Sequence, residues 1–112
     1  MKDLKRVIQS MGYDDTYKFL EISAYFLQQY FHHSEKESEI LTISFLENYS
    51  DKFDEDSIHH ETAYPIAAII HYLESLQLPL SEVGDWLLEN SHNTPPGDAL
   101  YYFRTHYFDC TT

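Results

Sequence analysis

Histidine offers the widest choice of chemistry in this sequence, because its ring can bind a metal or transfer a proton. The chain has seven histidines, and four of them form the adjacent pairs His32-His33 and His59-His60. Neighbours on a helix point about 100° apart, whereas two metal ligands on one face need a spacing of three or four residues. No HExxH motif and no cysteine-rich site is present, so we expect no metal and no other cofactor. A distant ligand would have to complete any site at His59, His60 and Glu61.

A cysteine near a histidine could form a nucleophilic pair, and the sequence offers one such combination. Cys110 follows His106 by four residues, so both would lie on one face of a helix. No group that could stabilise an oxyanion is evident near them. The sequence also contains no nucleophile elbow, phosphate-binding loop or dinucleotide fingerprint. We therefore expect that the protein is not an enzyme.

The balance of charge points to a class of partner. The 19 acidic residues and seven Lys and Arg give a net charge of −12. Residues 53–112 contain ten acids and one base, Arg104, so this part carries −9 of the total. Such a field repels nucleic acid and anionic membranes and attracts basic proteins. We expect a basic protein partner, no direct nucleic-acid binding and no membrane contact, although an acidic surface can also serve solubility alone.

Two clusters of carboxylates are the candidates for a surface that binds such a partner. Residues 51–56 are as acidic as a calcium loop but lack the central glycine and the terminal glutamate of an EF-hand. We interpret them as a solvated loop that could enter a basic groove. The second cluster has spacings of three and four residues, which place its members on one helical face. The predicted partner-binding carboxylates are Asp54, Glu55, Asp56 and Glu61 in the first cluster and Glu82, Asp85 and Glu89 in the second.

Ten tyrosines add a second kind of candidate contact. A tyrosine combines a large area, few rotatable bonds and a polar tip, so it is a favoured anchor in interfaces. Tyr64, Tyr101 and Tyr102 adjoin a loop or an acidic segment, and we predict that they are exposed and contact the partner. The alternative for the whole set is that the tyrosines border a small core with their hydroxyl groups in water. Trp86 is predicted to lie in the core.

The apolar residues that must position these side chains recur with a helical period. Leu4, Val7, Ile8 and Met11 predict a first helix that Gly12 can close in the left-handed conformation. Further helices are predicted from residue 15 or 16 to 33, over 35–49, 63–76 and 98–108, and from a cap at Ser81 through Val83, Trp86, Leu87 and Leu88. The stretches 50–57 and 90–97 are predicted loops.

Local signals support this division of the chain. Ser34 and Glu37 match a capping box, in which each side chain bonds the backbone N–H of the other residue. Pro65 suits the first turn of a helix, and the alanines that follow it would let another helix approach closely. We predict an all-α, compact bundle of five or six helices in a single domain, 1–112. A β-hairpin is the alternative, because the stretches 40–45 and 101–108 also contain strand-favouring residues.

The sequence also predicts a compartment. Cys110 is the only cysteine, so no internal disulfide can form, which is typical of a reducing environment. Residues 1–11 lack the continuous apolar stretch of a secretory signal, and no run approaches the length of a membrane span. We therefore expect a cytoplasmic protein.

In size, helical character, acidity and tyrosines near carboxylates, the chain resembles small acidic bacterial immunity proteins, such as those against colicin-type or contact-dependent growth inhibition toxins. The resemblance spans the chain as composition and not as a motif, so no family residue is carried over. It implies an antitoxin that binds a basic toxin domain, often a nuclease, and neutralises it by stoichiometric inhibition. Three other functions fit the same residues: a helical adaptor or regulatory subunit, an acidic nucleic-acid mimic, and a metalloenzyme whose histidine pairs and acids converge.

Overall fold

The computed structural model describes residues 2–10, 17–49, 63–90, 92 and 95–108, and every regular element within them is helical. Six α-helices follow one another: α1 (Lys2–Ser10), α2 (Tyr17–Phe31), α3 (Glu35–Tyr49), α4 (Ala63–Ile70), α5 (Val83–Glu89) and α6 (Gly97–Phe103). The predicted all-α bundle is confirmed, and the stretches 40–45 and 101–108 are helical rather than a hairpin. None of the described helices is both long and apolar enough to cross a membrane.

Helix α4 lies at the centre of the bundle because its sequence has no polar face. All eight of its residues are buried, and Ala63, Ala67 and Ala68 are fully enclosed. The helix packs against α2, α3, α5 and α6, and its small alanine side chains leave room for these neighbours. Phe19 and Phe26 of α2 belong to the same buried cluster. Helices α2 and α4 therefore form the centre of the core, against which the other helices pack.

Helix α3 begins at the cap that the sequence predicts. The N–H of Glu37 donates to Oγ of Ser34 at 3.1 Å, and the N–H of Ser38 donates to the carbonyl of Ser34 at 2.8 Å. The bounds Glu35–Tyr49 agree with the predicted ones. The Glu37 carboxylate contacts Nδ1 of His33, so the described contacts include only the serine half of the predicted capping box.

Two predicted helices change from α-helical to π-helical geometry near their own C-terminal ends. The helix predicted over 63–76 is α-helical only to Ile70, and His71–Ser75 form a wider π-helical turn that closes with the Leu76 N–H donating to the His71 carbonyl at 3.0 Å. Helix α6 likewise continues as a π-helical turn at Arg104–Phe108. A π-helical turn takes one more residue per hydrogen-bonded ring than an α-helix, so each changes the direction in which the following side chains point.

The entry into α5 also differs from the prediction. Ser81 does not cap the helix, because it lies inside a 3₁₀ turn, Leu80–Glu82, that starts after Pro79. Glu82 then occupies the cap position of α5 without a side-chain hydrogen bond to the helix. The carboxylate of Glu82 is consequently available at the surface, beside the first turn of α5.

Helix α2 and the π-helical turn after α4 end in the same way. His32 has φ 61° and Gln77 has φ 55°, so both are left-handed. The N–H of the next residue then reaches back six positions, from His33 to Leu27 at 3.2 Å and from Leu78 to the Tyr72 carbonyl at 3.3 Å. Glycine is the usual residue at such a position, and the predicted glycine cap, Gly12, lies outside the described residues.

Candidate functional site

Three predicted carboxylates stand together along α5. Glu82, Asp85 and Glu89 are all exposed, and they line a groove of about 260 Å³ together with Trp86 and Leu78. No basic side chain among the described residues forms an ion pair with any of the three. The groove therefore presents unpaired negative charge around an apolar centre.

The groove is held in shape by aromatic packing and one partly buried hydrogen bond. The half-buried ring of Trp86 lies 5.0 Å from the ring of Tyr72, measured between centroids. The Tyr72 hydroxyl donates to the carbonyl of Pro79 at 2.6 Å, which fixes the segment between the π-helical turn and α5. Burial and, to a smaller extent, Glu82 raise the pKa of Tyr72, so its hydroxyl remains a donor at neutral pH. Leu78, 40% exposed, adds an aliphatic side chain to the lining of the groove.

Three histidines, His33, His71 and His92, form a cluster next to Trp86. Nε2 of His33 is 2.8 Å from Nδ1 of His71, and the His71 ring stacks on Phe31 with centroids 4.8 Å apart. The centroid of His92 lies 4.9 Å from that of Trp86. Burial, followed by the nearby His33 and His92, lowers the pKa of His71 to about 4. His71 is therefore neutral at pH 7 and can accept a hydrogen bond at Nδ1.

Tyr64 completes this cluster from inside the bundle, and the prediction that it is exposed was wrong. Only 6% of Tyr64 is exposed, because α2 packs over the first turn of α4. Its hydroxyl lies 3.0 Å from Nδ1 of His92, and its ring centroid lies 5.4 Å from that of Tyr30. Burial lowers the pKa of His92 and raises that of Tyr64, so this contact joins two neutral groups at pH 7. Tyr64 supports the histidine cluster and is not available to a partner.

The other two predicted tyrosines line a different surface. Tyr101 is 73% exposed on α6. The half-buried ring of Tyr102 stacks between Tyr25 of α2, at a centroid distance of 4.3 Å, and His106, at 3.7 Å. Both tyrosines border a groove between α2 and α6 that shares no lining residue with the groove on α5. Apart from the buried Tyr64, the predicted site residues that the structure describes thus fall on two surfaces.

Part of the predicted site cannot be compared with the structure. The following residues lie outside the described part of the chain: Asp54, Glu55, Asp56, His59, His60, Glu61 and Cys110. Within the described part, no three His, Cys, Asp or Glu side chains are placed to hold a metal ion. The predicted site residues within the described part lie at the two grooves and, for Tyr64, at the histidine cluster.

Sequence reasoning missed several residues that shape these features. Leu78 could have been found from the sequence, because it is a leucine that lies outside every predicted helix, in the short segment before Pro79. His71 and His92 gave no usable signal, because 38 positions separate His33 from His71 and helical spacing covers only near neighbours. Their association follows from the packing of α2 against α4.

Known proteins add no further information about this site. The sequence matches no family model and no curated protein, and no solved structure matches it. The case for a function consequently depends on the side chains described above.

Proposed function

We propose that this chain is an immunity protein that binds a basic toxin domain and neutralises it, with the groove on α5 as its docking surface. The observation that carries the proposal is the set Glu82, Asp85 and Glu89, exposed and without ion-pair partners in the described structure, around Trp86. A nuclease holds phosphates with Lys and Arg side chains, and carboxylates spaced along a helix can take the place of those phosphates. The bound toxin would then be unable to reach its nucleic acid.

Long-range electrostatics favours the same kind of partner. The net charge is −12, and only one of the seven Lys and Arg follows residue 52. Opposite charge on two proteins raises the rate of encounter, and this gain falls as salt screens the field. Rapid, salt-sensitive association suits a protein that must capture a toxin before the toxin finds its substrate.

Apolar contacts must accompany the charge, because exposed ion pairs alone contribute little affinity. Trp86 and Leu78 provide an aromatic and an aliphatic contact between the carboxylates. Binding energy in interfaces concentrates at such anchors, which exclude water from the polar contacts around them. The proposed function therefore needs both the acids and the apolar centre of the groove.

The proposal is tested by capture followed by mutation of the groove. The full chain is immobilised and exposed to an extract of its source cells at about 50 mM and about 500 mM NaCl, conditions between which screening changes strongly. Mass spectrometry identifies what is retained. We expect one basic protein with a toxin or nuclease domain, captured better at low salt, and inhibition of its purified activity at a one-to-one ratio.

A pair of matched variants assigns the binding to the groove. E82Q/E89Q removes two carboxylates from the groove, and E35Q/E47Q removes two exposed carboxylates from α3. We expect the first variant to slow association with the captured protein by about tenfold and the second to change it little. Equal effects of the two variants, or capture of no basic protein, would contradict the proposal.

A helical adaptor is the second candidate, and exposed leucines favour it. Leu76, Leu78 and Leu88 are 44%, 40% and 68% exposed, which is apolar surface that a groove-binding or helical partner could cover. An adaptor would retain its partner at high salt and would lose it on L78A rather than on E82Q/E89Q. The same capture experiment therefore separates the two functions.

A further inference from the structure

The groove between α2 and α6 combines aromatic walls with one carboxylate. Helix α2 contributes Tyr25, Phe26, Gln29 and Tyr30, and α6 contributes Asp98, Tyr101 and Tyr102. Each set follows helical spacing, so each wall is one face of a helix. The groove has a volume of about 420 Å³, enough for a side chain of a partner protein.

The floor of this groove is rigid because its rings lock together. Phe26 is 1% exposed, and its centroid lies 5.7 Å from those of both Tyr30 and Tyr102 in edge-to-face contacts. Tyr25 and Tyr102 stack at 4.3 Å with an interplanar angle of 8°. The walls are thus formed in the free protein, and a ligand need not pay to order them.

The rim is where the groove is open to a ligand. Tyr101 is 73% exposed and, in the described part of the chain, contacts no other ring, so its face is available. Asp98 is also exposed and pairs with no basic side chain among the described residues. Asp98 is close enough to contribute to the raised pKa of Tyr30, after the larger effect of burial.

All the lining groups are neutral or negative at pH 7, which selects the charge of the occupant. The face of a tyrosine ring attracts a cation. A guanidinium fits this site best because its plane can stack on the ring. A carboxylate beside the ring can bind the N–H groups at the edge of the same guanidinium. An anion would gain neither contact, and an uncharged polar group could hydrogen-bond to the carboxylate but would gain neither the ion pair nor the attraction of a cation to the ring.

We infer that this groove is a binding site for an arginine side chain of the partner protein, stacked on Tyr101 and paired with Asp98. The inference rests on the proposed function, since it identifies a residue through which a basic partner would be held. It adds a second contact surface that shares no lining residue with the α5 groove. A partner that engages both grooves is recognised by its arrangement of cationic residues and not by net charge alone.

The test uses the full ¹⁵N-labelled chain and a blocked arginine, N-acetyl-arginine-N-methylamide, followed by amide chemical shifts. We expect saturable shifts at Gln29, Tyr101 and Tyr102, with a dissociation constant in the millimolar range. D98N and Y101A should each weaken binding about two- to fivefold, as expected for an exposed ion pair and an exposed cation–π contact. E47Q, which removes an exposed carboxylate of α3 outside both grooves, should leave the affinity unchanged.

Three companion ligands make the result decisive. Blocked citrulline has the same shape without the charge, and equal binding of it would overturn the inference. Equal binding of blocked lysine would overturn the assignment to arginine. Free L-arginine binding more than about tenfold tighter than the blocked form would overturn the assignment to a protein side chain and identify a site for a small metabolite.

Failure of this inference is distinguishable from failure of the proposed function. Shifts that do not saturate with blocked arginine overturn the arginine site, even if a basic toxin is captured through Glu82 and Glu89. Saturable binding that depends on Asp98 supports the site, even if capture retains no toxin. Because Asp98 and Tyr101 are exposed, both variants should keep the amide spectrum of the folded chain.

Discussion

Two buried serines differ in a way that predicts opposite changes in stability. Ser23 and Ser38 are both fully buried within helices, but Oγ of Ser23 donates to the Phe19 carbonyl at 3.1 Å, whereas Oγ of Ser38 has no partner among the described residues. A buried hydroxyl without a partner costs about 1–3 kcal/mol of desolvation. We expect Ser38→Ala to leave the free energy of unfolding unchanged or raise it by up to about 1 kcal/mol.

The matched substitution Ser23→Ala should lower the free energy of unfolding by up to about 1 kcal/mol, because it removes a hydrogen bond that is made. Urea unfolding of the two variants in parallel measures both values. A larger loss in Ser38→Ala than in Ser23→Ala would show that the Ser38 hydroxyl has a partner after all.

The histidine cluster predicts a pH dependence of stability. The pKa of His71 is lowered to about 4 in the folded chain and returns to about 6.5 when the chain unfolds. Between these values the unfolded state binds more protons, so stability must fall as pH decreases from about 6.5 towards 4. Because the ring is only half-buried, we expect a loss of about 1–2 kcal/mol, less than full conversion of the shift would give.

Urea unfolding at several pH values measures this slope. The variant His71→Gln keeps a polar side chain beside His33 and has no ring to protonate, so its stability should change less over the same window. An unchanged slope in this variant would assign the pH dependence to other groups, of which His92, also with a lowered pKa, is the first to test.

Single residues show where sequence reasoning succeeds and where it stops. Glu82, Asp85 and Glu89 could be placed on one surface because only local helical spacing was needed. The burial of Tyr64 could not be predicted in this way, because it depends on packing against α2, which lies more than 30 positions earlier in the chain. The stack of Tyr25 on Tyr102 is equally remote, so the second groove had no signature in the sequence.

At the scale of elements, the left-handed helix ends predict where glycine would stabilise the fold. A residue with a side chain in this conformation costs about 1 kcal/mol that glycine avoids. Gln77 has φ 55° and is exposed, so we expect Gln77→Gly to raise the free energy of unfolding by about 0.5–1 kcal/mol.

Gln29 provides the matched control because it is also an exposed glutamine, but lies inside α2. Gln29→Gly should lower stability by about 1 kcal/mol, the usual cost of glycine within a helix. Thermal unfolding of the two variants decides the question. A loss in both would mean that the Gln77 side chain makes contacts worth more than the relief of backbone strain.

Helix existence was predictable here, whereas helix geometry was not. The cap at Ser34 depends only on residues next to it in sequence, so the start of α3 could be predicted from local residues. The π-helical turn His71–Ser75 carries the same apolar spacing as an α-helix would. Its formation accompanies two tertiary hydrogen bonds, which the Glu74 carboxylate accepts from the Ser44 hydroxyl and the Asn48 side-chain amide of α3.

At the scale of the molecule, the net charge predicts a response to salt. A charge of −12 on a chain with a radius of gyration of 13.0 Å repels itself, and added salt screens that repulsion. We expect the free energy of unfolding to rise by about 1 kcal/mol, roughly 4 °C in Tm, between low salt and about 0.5 M NaCl.

The double variant E82Q/E89Q tests whether the proposed docking surface contributes to this repulsion. Removing two like charges spaced along α5 should raise stability at low salt and reduce the gain from added NaCl. A gain from salt that stays the same would locate the repulsion elsewhere. If the variant is more stable while it binds more slowly, the acids are retained at the expense of stability, as expected of a functional surface.

The complete burial of α4 has a consequence for how the native protein opens. Its backbone amides are covered by α2, α3, α5 and α6 at once, so no single helix can detach and expose all of them. Their hydrogens should therefore exchange with deuterium only through global unfolding, and the exchange rates of Ile66–Ile70 should report the full free energy of unfolding. The amides of α1, which packs mainly against α2 and α3, should exchange through smaller local openings. Mass spectrometry of deuterated peptides would resolve these two classes within a single chain.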